Sequence, residues 1–186
     1  MKHKTLLSAF LVFALTFAGC TTGWVSTATA DAPIVIQIVT GIIQIVSSVN
    51  GKVATPQEIS RIQAIGNVVV ADMSLAQVLA QKYDSTPSAD RATLLGKIHD
   101  ALVLASANLN QLLQAAAVTN PNTRATIAGA VNLALATVSG LESLIPAPAT
   151  TTLKAAAPHV LLAPAVITAR YNAILKAHGF QKYSLR

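Results

Sequence analysis

Cysteine is the first scarcity. The 186-residue chain has one, Cys20, so no internal disulfide can form and stability has to come from packing. Charge is scarce too: Asp, Glu, Lys and Arg make up 11% of the residues, and aromatics only 4%. No aromatic–basic interleaving occurs, which argues against a nucleic-acid partner. Acid is absent after Glu142, where Lys154, Arg170, Lys176, Lys182 and Arg186 remain. Beyond Cys20 no 20-residue run is cleanly apolar. Gln37 and Gln44, Asp72, or Asn132 and Glu142 interrupt the candidates. A spanning helix needs roughly 20 apolar residues, so the apolar excess is expected inside a bundle.

Catalytic constellations are also missing. After the first few residues the histidines are His99, His159 and His178, with no close metal-ligand spacing. His99 and Asp100 are neighbours on a helix and point about 100° apart, which makes no catalytic pair. Nothing resembles a glycine-rich phosphate loop, a Gly-x-Ser-x-Gly elbow or a zinc motif. Asp72 shares its helix angle with Glu58 and Arg61, which reads as a solvated face. The expectation is no enzyme, no cofactor, no metal and no catalytic residues.

The informative stretch is the start. Lys2 and Lys4 precede an uncharged apolar segment from Leu6 to Phe17, followed by Ala18-Gly19-Cys20. This is the layout of a secretory signal peptide over residues 1–19. Thr16-Phe17-Ala18-Gly19-Cys20 resembles the lipobox of bacterial lipoproteins, although Phe17 stands where Leu is usual. The resemblance implies that Cys20 becomes the first mature residue and carries a thioether-linked diacylglycerol, palmitate among its acyl chains. It also implies residence in the cell envelope. The absence of Asp at position 21 favours the outer membrane, facing the periplasm, if the cell has two membranes. Simple secretion is the competing expectation, with cleavage after Ala28-Thr29-Ala30 and loss of Cys20. A murein-linked mechanism is not supported, because the terminal residue is Arg186 rather than Lys.

Residues 20–31 read as the lipidated Cys and a small, polar tether. Trp24 lies in that tether, either at the bilayer interface, where amphipathic rings are favoured, or folded onto the domain. From Pro33 to Val49, Gln37, Thr40, Gly41, Gln44, Ser47 and Ser48 recur at steps of three and four, the mark of a helix with a polar stripe. Thr55-Pro56-Gln57-Glu58 reads as a capping box with Pro at the first helical position. It opens a helix whose buried face is Ile59, Ile62, Ile65/Gly66, Val69, Met73, Ala76, Leu79/Ala80 and Tyr83. Thr86-Pro87 and Asn120-Pro121 open two more. The first of these buries Leu94/Leu95, Ile98, Leu102, Ala105, Leu109, Leu112 and Ala116. The second carries a heptad-like seam of Ile127, Val131, Ala134, Val138, Leu141 and Ile145.

Residues 146–158 read as a Pro/Ala/Thr linker. Pro164 then opens a shorter helix, with Ile167, Tyr171, Ile174 and His178 on one face and Gly179 ending it. That basic segment, residues 159–186, either docks on the bundle or lies on a membrane.

The expected architecture is all-α: an antiparallel up-down bundle of about four long helices over residues 32–145, plus the C-terminal helix. The expected role is that of a membrane-anchored envelope lipoprotein with a structural or protein-interaction function. The alternative is a carrier or sensor holding an apolar ligand or lipid in the bundle. Expected partners are the membrane through the lipid anchor, an envelope protein or anionic lipid, and further copies of the chain. Candidate contact residues are Trp24, Lys154, Arg170, Lys176, Lys182 and Arg186, with Cys20 as the lipid attachment site.

Overall fold

The structure, a computed structural model, describes residues 23–49, 55–116, 120–146 and 161–186. It is all-helical: α1 Gly23–Ser48, α2 Pro56–Lys82, α3 Ser88–Ala115, α4 Pro121–Leu144 and α5 Pro164–Ala177, closed by a 3-10 turn at Gln181–Tyr183. Cys20, Lys154, His159 and residues 147–158 of the expected linker lie outside the described residues.

Two of the expected helix starts form as read. Thr55 Oγ1 accepts from the Glu58 amide at 3.3 Å, and Glu58 Oε2 accepts from the Thr55 amide at 2.7 Å. That reciprocal pair closes two of the N–H groups a helix start leaves open. Asn120 Oδ1 likewise accepts from the Thr123 amide at 2.7 Å. The third start differs. Thr86 does not cap; its hydroxyl donates to the Lys82 carbonyl at 2.8 Å, and Pro87 takes the cap position without a side-chain bond. Arg91 holds this turn instead. Its Nε donates to the Thr86 carbonyl at 3.0 Å and its Nη2 to the Asp84 carbonyl at 3.2 Å, with the guanidinium 5.2 Å over the Tyr83 ring.

The first helix begins ten residues earlier than Pro33, so the expected tether is corrected: residues 23–31 are helix. Their Ser and Thr side chains fold back onto the helix. Ser26 and Thr27 hydroxyls donate to the Gly23 carbonyl, and Thr29 to Val25 and Ser26. Trp24, Val25 and Ala28 join the core. Pro33 is tolerated inside α1.

Side-chain pairings fix the directions. Ser47 accepts from Gln63, Ile43 packs at Gly66, and Trp24 meets Tyr83 edge-on with ring centroids 4.9 Å apart. Helices α1 and α2 therefore run antiparallel. Asn108 donates to Asp72 between α2 and α3, and Ser106 to Glu142 between α3 and α4. Asp72 is thus a half-buried inter-helix acceptor rather than a purely solvated acid. Gly129 faces Ile174 and Gly140 faces Leu161, so α5 runs antiparallel to α4 and parallel to α1.

The C-terminal helix docks on the bundle. Ile167, Tyr171 and Leu175 are buried in the same core as the four long helices, so residues 161–186 do not form a separate layer. Leu175, not Ile174 or His178, completes the buried row after Tyr171. Gly179, at φ +79°, ends the helix. The Phe180 amide donates to the Leu175 carbonyl at 2.8 Å and the Gly179 amide to Lys176 at 3.4 Å, the two bonds of a Schellman ending. The tail then turns back. Asn172 donates to the Leu185 carbonyl at 2.9 Å and accepts from the Leu185 amide at 2.8 Å.

Candidate functional site

Three surface features could act on something outside the chain. The first is a groove of about 380 Å³ where the N-terminal half of α1 meets the entry to α5. Ser26, Thr27, Ala30 and Asp31 form one wall, and residues 161–164 form the other. Thr27 and Asp31 are one turn apart, as are Ser26 and Ala30, so all four fall on one face of α1. Asp31 is 1% exposed, and its Oδ1 has no hydrogen-bond partner. Burial pushes its carboxyl up from 3.8 to about 6, because a carboxylate loses hydration that nothing replaces.

The second groove, about 370 Å³, lies between α1 and the returning tail. Gln37, Thr40, Gly41 and Gln44 face Lys182, Tyr183, Ser184, Leu185 and Arg186 across it. This is where two of the expected basic contacts come together. Lys182 also sits 4.8 Å over the Tyr183 ring. Arg170 and Lys176 are exposed on α5.

The third feature is an apolar face on the outside of α2 and α3. Val68, Leu75, Val78, Val103 and Leu104 are 45–54% exposed. Val68 and Leu75 lie one turn either side of Asp72, and Leu104 one turn from Asn108, its bonded partner. Val68, Leu75 and Leu104 therefore flank the α2–α3 seam. Helix α5 covers the seam of α1 and α4, on other sides of the bundle. By length and composition, α1, α2 and α4 each reach what a membrane crossing requires, with mean hydropathies of 1.6, 1.4 and 1.4. Of the three, α2 is the least buried.

Trp24 is corrected as a contact residue: it is 4% exposed and packed on Tyr83. His99 is half-buried on α3. Among the described residues no group of three His, Cys, Asp or Glu side chains is placed to hold a metal ion. Sequence reasoning missed Asp31, whose signal was a lone acid beside Ala and Pro in a stretch read as tether. It also missed the close approach of Tyr171 to Gly41. Tyr171 is fully buried at this contact, its hydroxyl has no partner, and burial pushes its pKa up to about 12.

The class these features define is an all-α bundle with exposed apolar and grooved surfaces. Comparison with known proteins finds no matching family model, no matching curated protein and no matching solved structure.

Proposed function

We propose that this chain is a lipid-anchored envelope protein, held by acylated Cys20, whose exposed α2–α3 face binds another protein or a second copy. The observation that carries the anchor is the position of Trp24. It lies four residues after Cys20, buried against Tyr83. Cleavage after Ala30 would discard Trp24, Val25 and Ala28 from the core, whereas cleavage before Cys20 keeps them. This supports the lipobox reading over simple secretion. Two residues, Thr21 and Thr22, separate Cys20 from the start of α1 at Gly23, a reach of at most about 10 Å over three residue steps. The bundle would therefore rest on the bilayer surface rather than stand off it. In a cell with two membranes, the reading places it on the outer membrane, facing the periplasm.

The interaction role rests on Val68, Leu75, Val78, Val103 and Leu104, large apolar side chains left exposed on two neighbouring helices, since apolar surface gathered on one side of a protein marks contact sites. An apolar ligand inside the four-helix core gains no support: Ile38, Ile42, Ile62, Met73, Leu109 and Ile127 fill it at 0% exposure.

Replacing Cys20 by Ala is expected to move the chain from the membrane to the soluble fraction and to abolish labelling by radioactive palmitate. Continued membrane residence of C20A would contradict the anchor. A photo-crosslinking residue at Leu75 or Leu104, in the anchored chain, is expected to give a discrete protein adduct. Adducts to lipid alone would replace the protein partner with the bilayer.

A further inference from the structure

We propose that the groove beside Asp31 binds a primary ammonium group carried on a short apolar body, with the Asp31 carboxylate as counter-ion. Asp31 is 1% exposed, lines the groove, and leaves Oδ1 without a partner. Among the described residues no cation pairs with it. A buried carboxylate without a partner is costly, and such groups are normally paired or ligated. A ligand cation removes that cost.

The remaining walls suit the rest of such a molecule. Ser26 and Thr27 spend their hydroxyl protons on the Gly23 carbonyl, so toward the groove their oxygens can only accept. An ammonium has three donors and no acceptor, and here it meets a carboxylate and two accepting hydroxyls. A carboxylate or phosphate ligand would meet the same acceptors and be repelled. Ala30, Leu161, Leu162, Ala163 and Pro164 supply apolar walls for the body. The groove's volume of about 380 Å³ exceeds what a six-carbon amine needs. The site rests on the proposed cleavage before Cys20, because cleavage after Ala30 would remove Ser26, Thr27 and Ala30 from the groove wall.

The test uses the full chain in a non-ionic detergent, titrated calorimetrically near neutral pH with hexylammonium, with 1-hexanol and hexanoate as controls. Saturable binding of hexylammonium, stronger than that of either control, is expected. D31N should weaken hexylammonium at least tenfold and leave hexanol unchanged. D31N removes an unpaired buried charge and is expected to fold. Ala30 is exposed on the groove wall, so A30L should fill the space without touching the core and also weaken binding. Absence of saturable binding to the wild type overturns the proposal. So does equal hexylammonium affinity in the wild type and D31N, or unchanged affinity in A30L.

Discussion

Raising the pH from about 4 to about 7 is expected to cost the folded chain on the order of 2–3 kcal/mol through Asp31 alone. Its carboxyl titrates at about 6 in the folded chain, against an ordinary 3.8. At low pH both the folded and unfolded states hold the proton, and Asp31 contributes no penalty. Between the two values the unfolded chain ionises while the folded chain keeps its proton, so stability falls as pH rises. Above about 6 both states are ionised and the penalty is complete. The cause is burial without a partner, since Oδ1 meets no donor.

Asp31→Asn isolates the effect, because it keeps the shape and removes the titration. Urea unfolding of both chains across this range should show the variant gaining on the wild type as pH rises. The difference should level off above about pH 6. A difference that stays flat with pH would mean that Asp31 is solvated or paired in the folded chain.

The second large effect concerns the docking of α5. Glycine at position 41 lets the Tyr171 ring stand against α1; a Cβ there would collide with the Tyr171 hydroxyl oxygen. Gly41→Ala is therefore expected to destabilise the chain by about 2–3 kcal/mol, the range of overpacking in a filled core. The loss outweighs the gain of up to about 1 kcal/mol that Ala normally brings to a helix interior. Tyr171→Phe removes the colliding atom, and the next ring atom is 3.3 Å from the added Cβ. In that background Gly41→Ala should be close to neutral.

Tyr171→Phe alone should be neutral or stabilising by about 1 kcal/mol, since it deletes a buried hydroxyl with no partner. The coupling between the two sites is the readout. Additive effects would show that α5 does not pack through this contact.

These two sites were not legible in the sequence, and the reasons are physical. Local signals were readable. Thr55-Pro-Gln-Glu and Asn120-Pro close their own helix starts within four residues, so spacing alone exposes them. The seam from Ile127 to Ile145 was readable because every member of a regular period is buried. What escaped depends on distant neighbours. The Ser- and Thr-rich stretch before Pro33 reads as tether. It becomes helix because Trp24 finds Tyr83, which lies 59 positions away in sequence, while its hydroxyls bond back within the helix. On α5, Ile174 and Leu175 both fit the spacing after Tyr171. Ile174 packs against Gly129 and stays half-buried, whereas Leu175 is buried in the core. Gly41 looked like one member of a polar stripe, and only the docked Tyr171 gives it a role.

The same distinction divides the functional account. The proposed anchor rests on a short contiguous stretch ending at Cys20, so it can be read from sequence alone. The Asp31 groove requires α1 and residues 161–164 to meet, which no local pattern reveals.

The central claim is that the mature chain starts at Cys20 with lipid on its sulfur and keeps Trp24 in its core. Intact-mass spectrometry of the chain extracted from the membranes of a lipoprotein-processing bacterium tests it directly. The account predicts a protein beginning at Cys20 with added mass equal to a diacylglyceryl group, with or without an N-terminal acyl chain. A chain that begins at Asp31, or that retains Met1 and carries no lipid, would contradict it.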